Sequence, residues 1–143
     1  MNFKKRGMLL YIIYKENEDK EVPMKIYLCE KCGEMVMELK EREHPPCCGQ
    51  PMKILEANTV DAAKEKHVPA VTKEDGKLSI HVGSVEHPMT DEHSIEWVAA
   101  VGDQSLIMHH FQPGEAPSVK VCDRGAKEVY AYCNLHGLWK TEL

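Results

Sequence analysis

One pattern most constrains what this chain can fold into: Cys29-Glu30-Lys31-Cys32-Gly33, followed, with fourteen residues between Cys32 and Cys47, by Cys47-Cys48-Gly49. Residues 25–58 hold four of the six cysteines, with Gly33, Pro45, Pro46, Gly49 and Pro51 among them. So short a segment buries little apolar surface, and a metal or disulfide staple is expected to hold it. Two thiolates at C-x-x-C spacing can share one side of a tetrahedral ion. A glycine after the second cysteine lets the backbone turn its N–H groups toward sulfur, which tunes an iron–thiolate centre. Adjacent cysteines bind one ion only with a strained bite, so a distorted tetrahedron is expected. Four thiolates around a ferrous ion leave a net negative site, better suited to passing an electron than to attracting an anion. The structural alternatives are a zinc-stapled ribbon or disulfides. An ordinary zinc ribbon prefers C-x-x-C twice, and disulfides need an oxidising compartment.

Composition sets the outer limits. The chain has 143 residues, 43% of them hydrophobic, enough for one packed domain with a small appendage. Its 18 Lys and Arg against 23 Asp and Glu give a net charge of −5. A net negative chain without a basic stripe argues against nucleic acid. No apolar run approaches the roughly 18 residues of a membrane span. Lys4, Lys5 and Arg6 precede an apolar run from Met8 to Tyr14, loosely like a signal peptide. The run is at the short limit, and the charged stretch after it offers no small-residue cleavage site. The reading is an uncleaved, cytoplasmic protein in which residues 1–24 are an N-terminal extension, with Met24 the expected natural start.

After residue 58 the pattern becomes β. Glu56 to Lys66 is polar, with one helical turn expected, capped by Asn58 or Thr59. Val68 and Val71 flank a short apolar piece, and Glu74-Asp75-Gly76 signals a turn. Leu78, Ile80 and Val82 alternate with Ser79, His81 and Gly83, and Ile95, Trp97, Ala99 and Val101 alternate again. Leu106 to Phe111, Val119 with Val121, and Val129, Ala131 with Cys133 mark three more strands. Short strands separated by turn signals predict a mainly β fold, an antiparallel sandwich over residues 59–143.

A second constellation lies in that β zone: Glu65-Lys66-His67, Glu86-His87-Pro88, Glu92-His93 and Cys133-Asn134-Leu135-His136. Four histidines and one cysteine, all at loop or strand-end positions, are able to converge on one ion. Five donors exceed what structural zinc takes, and imidazoles suit iron. Four nitrogens in a plane with sulfur below would make a square pyramid, its sixth position open. A thiolate there pushes electron density through the metal, and neutral imidazoles leave the ferrous site cationic. Each histidine taken singly is equally a surface or core residue. His44, His81, His109 and His110 read as solvated, Cys122 as a small buried hydrophobe, and Trp97 and Trp139 as core or site wall.

These motifs together resemble the two-iron superoxide reductases, the desulfoferrodoxins. Tyr27 to Met52, with Cys-Cys-Gly-Gln-Pro-Met at 47–52, is similar to their desulforedoxin domain. Glu65-Lys66-His67-Val68-Pro69, His81 to Met89 and Tyr132 to Gly137 are similar to their catalytic domain, and the likeness spans residues 25–143. The resemblance implies a desulforedoxin-like tetrathiolate iron domain at 25–58 and an immunoglobulin-like β-sandwich at 59–143. It implies two iron ions, one held by Cys29, Cys32, Cys47 and Cys48. The other would take His67, His87, His93 and His136 around it and Cys133 as axial thiolate. The implied reaction is one-electron reduction of superoxide to hydrogen peroxide without dioxygen release, protecting the cell from superoxide. Lys66 would steer the anion and stabilise the developing peroxide, and Glu65 would displace the product. A rubredoxin is the implied electron donor and a homodimer the implied assembly. Residues 1–23 have no counterpart in the family pattern. The competing reading is a non-catalytic rubredoxin-like electron-transfer protein or a structural metal-binding protein.

Overall fold

A computed structural model of the chain describes residues 24–39, 43 and 46–143. The expected extension up to residue 23 and the expected solvation of His44 lie outside the described residues. The chain divides into two compact units, the second beginning at Lys53. In the first, β1 (Lys25–Leu28) and β2 (Met35–Glu38) form an antiparallel hairpin whose register pairs Leu28 with Met35. Its loop therefore begins at Cys29. Among the described residues of this unit only Ile26 and Cys29 are buried, so apolar burial alone gives it little stability.

The second unit runs β3 (Lys53–Ile54), α1 (Lys64–His67), β4 (Pro69–Glu74), β5 (Lys77–Val82), β6 (Ile95–Gly102), β7 (Leu106–His110), β8 (Ser118–Cys122), β9 (Ala126–Cys133) and β10 (Gly137–Glu142). Strands β10-β9-β6-β7 make one antiparallel sheet and β4-β5-β8 another. The core lies between them. Leu78, Ile80 and Val82 of β5 face Ile95, Val98 and Ala100 of β6 and Val129, Ala131 and Cys133 of β9, all buried. Val71, Val119 and Val121 close the cluster. Alternation along β5 explains the arrangement, since every second side chain points to the same face. The hairpin β4–β5 turns at Asp75-Gly76, both at positive φ, the two-residue geometry whose twist matches the strands. The chain is thus mainly β, in antiparallel sheets, as its alternation predicts.

Three local expectations fail. The helical turn is not capped by Asn58 or Thr59; it starts after Ala63, with no side-chain cap. Asn58 instead pairs with the edge of β10: its N–H donates to the Leu138 carbonyl, its Nδ2 to the Lys140 carbonyl, and its Oδ1 accepts from the Lys140 N–H. An amide carries both donor and acceptor, so it blunts an exposed strand edge as a further strand would. Cys122 is exposed, not buried. Val119 and Val121 take the inward positions of β8, which leaves residue 122 on the outer face. His81 and His110 are exposed as expected, but His109 is half-buried, its ring 4.8 Å from that of Phe111.

Leu78 is wholly buried at the centre of the core. Leu78→Ala is expected to destabilise the second unit by about 2–5 kcal/mol through lost burial and a residual cavity. Urea denaturation followed by tryptophan fluorescence measures it; Leu106→Ala, on an exposed side chain, serves as the control.

Candidate metal centres

The β1–β2 hairpin presents Cys29 and Cys32 from its loop, and a second tight turn presents Cys47 and Cys48. Gly33 N–H donates to the Cys29 carbonyl, and Cys47 and Gln50 exchange backbone hydrogen bonds across the second turn. Gly33 and Gly49 lie at positive φ, and so does Cys48, at 52°. A left-handed non-glycine residue costs free energy; here it lets two adjacent sulfurs turn inward, the strained bite that neighbouring cysteines require. All four sulfurs lie within 4.8 Å of one another and none is in a disulfide. Cys32 and Cys47 sulfurs are 3.6 Å apart, and those of Cys47 and Cys48 4.0 Å. Metal–sulfur bonds of about 2.3 Å in a tetrahedron place sulfurs roughly 3.8 Å apart, so the donors present fit one ion. The thiols do not ionise alike. Backbone N–H donation, chiefly from Cys32, brings Cys29 down to about 7, while the neighbouring thiols Cys29 and Cys32 push Cys47 up to about 12. Four sulfurs so close become thiolates together only with a cation among them.

The second centre is built at one end of the sandwich. His67 ends α1, His87 and His93 sit in the loop before β6, and Cys133 and His136 bracket the β9–β10 turn. The five ligand atoms lie within 4.8 Å of one another. The four imidazoles form a ring of neighbours in the order 67, 87, 93, 136, with centroid separations of 4.7, 4.6, 4.9 and 4.8 Å. His67 and His93 stand 6.4 Å apart across it, close to the side-to-diagonal ratio of a square. Cys133, wholly buried, lies beside this square, its sulfur 3.7 Å from His136 Nδ1.

Tautomers show what the square is for. His67 Nδ1 is 2.6 Å from the Ala63 carbonyl and His87 Nδ1 is 2.6 Å from the Pro88 carbonyl. A carbonyl only accepts, so each Nδ1 must carry the proton and each Nε2 a lone pair. Those two Nε2 atoms face one another at 3.1 Å, and His136 Nδ1 stands 3.0 Å from His67 Nε2. His93 Nε2 is buried with no hydrogen-bond partner. Converging lone pairs and an orphaned buried nitrogen are unfavourable unless a cation satisfies them. Burial drives the His87 pKa down to about 4 and lowers those of His67 and His93, so these three rings are neutral donors at pH 7. Burial also raises the Cys133 thiol, opposed by the N–H groups of His136 and Leu135.

Three supports complete the site; Trp139 is core and site wall as its sequence reading expects, while the other two carried no sequence signal of their own. Trp139, wholly buried, stacks on His67 at 4.9 Å and 22° and donates from Nε1 to the His136 carbonyl at 3.1 Å. Asn134 clamps the loop of His93: its Oδ1 accepts from Ser94 N–H and its Nδ2 donates to the Glu92 carbonyl. The carbonyls of Ala63 and Pro88 are backbone groups, which no side-chain pattern reveals. Of the two residues expected to act on substrate, Lys66 is half-buried and lines a cavity of about 520 Å³ with His87, Pro88, Met89 and Glu115. Its charge helps lower the His93 pKa, which puts it near the imidazole square. Glu65 is exposed on α1.

Stability of the metal-free second unit should follow the imidazoles. Between about pH 6.5 and 4 the unfolded chain binds protons that buried His87 refuses. Metal-free protein is therefore expected to lose stability as pH falls through that window. Urea midpoints at pH 7.5, 6 and 5 measure the loss; a flat profile would contradict the burial of neutral rings.

Known proteins were compared with this chain. The desulfoferrodoxin family model matches residues 59–142. The desulfoferrodoxin of Desulfarculus baarsii is 43% identical over 121 residues, 83% of this chain and 96% of the relative. A superoxide reductase of Pyrococcus horikoshii is 33% identical over 99 residues, 55% of this chain and 86% of the relative. Among solved structures, the superoxide reductase of Treponema pallidum superposes with a TM-score of 0.69 at 31% identity, covering 83% of this chain and 98% of that one.

Proposed function

The chain belongs to the desulfoferrodoxin family, and on that premise we propose that it is a superoxide reductase, turning superoxide into hydrogen peroxide by one-electron reduction. The observation that carries this reading is the square of four imidazoles beside a buried cysteine, with the Nε2 lone pairs of His67 and His87 facing one another inside it. His67, His87, His93, His136 and Cys133 would hold the catalytic iron, and Cys29, Cys32, Cys47 and Cys48 the second. Iron at the five-donor site supplies the electron to superoxide.

The remaining work falls to the chain. Lys66 is the cation on the lining of the cavity beside His87, which Glu86 and Glu115 also line; its own ammonium, not the sum of the lining, draws a small anion to its side although the net charge is −5. Local potential outweighs net charge at that range. Lys66 Nζ donates hydrogen bonds to the anion and holds the water that delivers the proton, while negative charge grows on oxygen. Glu65, one residue before it and exposed, brings a carboxylate that displaces the peroxide product. The carbonyls of Ala63 and Pro88 hold the rings in the tautomers that leave Nε2 free. A rubredoxin-type carrier resupplies the electron, a homodimer is the working assembly, and the cytoplasm is the compartment; family likeness supports the first two. Among the described residues no helix is long and apolar enough to cross a membrane.

Metal analysis is expected to find two irons per chain and a thiolate-to-iron band in air-oxidised protein. Iron at the four-cysteine site alone, or zinc in a colourless preparation, would sink the reading. Lys66→Ala is expected to slow the reaction with superoxide by roughly 10-fold or more with the visible spectrum intact. Glu65→Ala is expected to alter the oxidised spectrum and spare the fast reaction. Rapid mixing after superoxide generation reads both.

A further inference from the structure

Lys66 sits on a short helix of four residues, Lys64–His67. So short a helix does not hold its own end still. What does so is a tripeptide from elsewhere in the chain. Gly83 N–H donates to the Val68 carbonyl at 3.1 Å, and Val85 N–H donates to the Glu65 carbonyl at 2.9 Å. Ser84 Oγ adds a hydrogen bond to the same Glu65 carbonyl at 3.3 Å. These bonds bracket Lys66 and His67 on both sides. Between them the Lys66 carbonyl lies directly against Gly83: a β-carbon there would stand 2.6 Å from that oxygen, 2.7 Å from its carbon and 2.6 Å from the Val85 carbonyl oxygen. All three obstacles are backbone, so no rotamer relieves them. Gly83 is buried and lies at φ 82°, where a side chain is strained in any case. Two residues beyond Val85 the same segment supplies His87, which lines the cavity with Lys66.

We propose that Gly83-Ser84-Val85 is a positioning strap that sets the backbone of Lys66 against the His87 side of the cavity, so that Gly83 acts on superoxide reduction through the placement of Lys66. The strap makes no contact with substrate. It works because residue 83 has no β-carbon and because two N–H groups hold the carbonyls on either side of Lys66–His67. The inference rests on the reading of Lys66 as the cation that steers superoxide. A misplaced ammonium keeps its charge but loses its aligned hydrogen bond to the anion, since misplacement by about 1 Å defeats orientation.

Four forms of the full, iron-loaded chain test this: wild type, Gly83→Ala, Lys66→Ala and the double variant. Gly83→Ala is expected to slow the reaction with superoxide, by up to the roughly 10-fold of Lys66→Ala, and to keep the ionic-strength dependence that Lys66→Ala flattens, because the charge remains. The double variant is expected to be no slower than Lys66→Ala alone. Amide hydrogen exchange, measured on metal-free and loaded protein, is expected to quicken at Lys66 and Val68 in Gly83→Ala. Val85→Pro removes the N–H to Glu65 and fixes φ at residue 85 without adding a β-carbon at 83, and should quicken the same amides and slow the reaction, which keeps the test open if Gly83→Ala fails to fold. Additive losses in the double variant, or unchanged exchange and rate beside a slowed Lys66→Ala, overturn the strap alone. A wild-type rate in Lys66→Ala instead overturns the role of Lys66, and the strap's part in the reaction falls with it.

Discussion

Two backbone carbonyls govern the second centre. Ala63 and Pro88 each accept from an Nδ1 at 2.6 Å, and that choice of tautomer forces two Nε2 lone pairs to face each other. Folding thus assembles an arrangement that is unfavourable by itself. It persists because the sandwich over-determines it. His67 is stacked by Trp139, His93 is tied through Asn134 to the loop of Cys133, and Cys133 sits in register with both Ile95 and Gly137. The free energy that holds the lone pairs together comes from apolar burial in β5, β6 and β9, and a cation returns part of it on binding.

The fold serves this by placing every donor at an element's end. Strand interiors alternate between core and outer face, so a side chain within them is committed to packing. Strand ends and short loops are not, and the end of β9, the loop before β6 and the end of α1 meet at one end of the sandwich. The bulge between Ile95 and Trp97 falls where β6 leaves the loop of His93, the kind of irregularity that re-aims a strand beside a site.

Much of this was legible in the residues. Period-two alternation marked β5 and β9, and the donor residues of both centres stood out by type and spacing; in β6 the expected face of Ile95, Trp97, Ala99 and Val101 is broken by the bulge after Ile95, so Val98 and Ala100 turn to the core instead. What was not legible has physical causes. Strand β10, Gly137-Leu-Trp-Lys-Thr-Glu, puts Leu138 and Trp139, neighbours in sequence, into buried positions on opposite faces. Its period-two signal is therefore absent. Asn58 looked like a helix cap because its side chain mimics backbone; it does mimic backbone, but at a strand edge. Cys122 was misjudged because a cysteine is usually buried, while its strand had already given its inward positions to valines. Ala63 and Pro88 act through carbonyls that every residue owns, so only geometry singles them out.

The two centres solve one electrostatic problem with opposite chemistry. In the cysteine site the four sulfurs disagree: Cys29 is drawn down to about 7 and Cys47 up to about 12, so metal-free protein keeps a mixture of thiol and thiolate. A cation makes all four thiolates, and the site as a whole stays negative. In the histidine site burial already disfavours the protonated forms of His67, His87 and His93, with His87 near 4, and the Cys133 thiol has a proton to lose. A cation there leaves a site of positive charge. Superoxide, an anion, is repelled by the first arrangement and attracted by the second. The distribution of imidazole and thiol between the two units therefore decides where the substrate reacts, and a chain of net charge −5 needs no global positive field to bring it there.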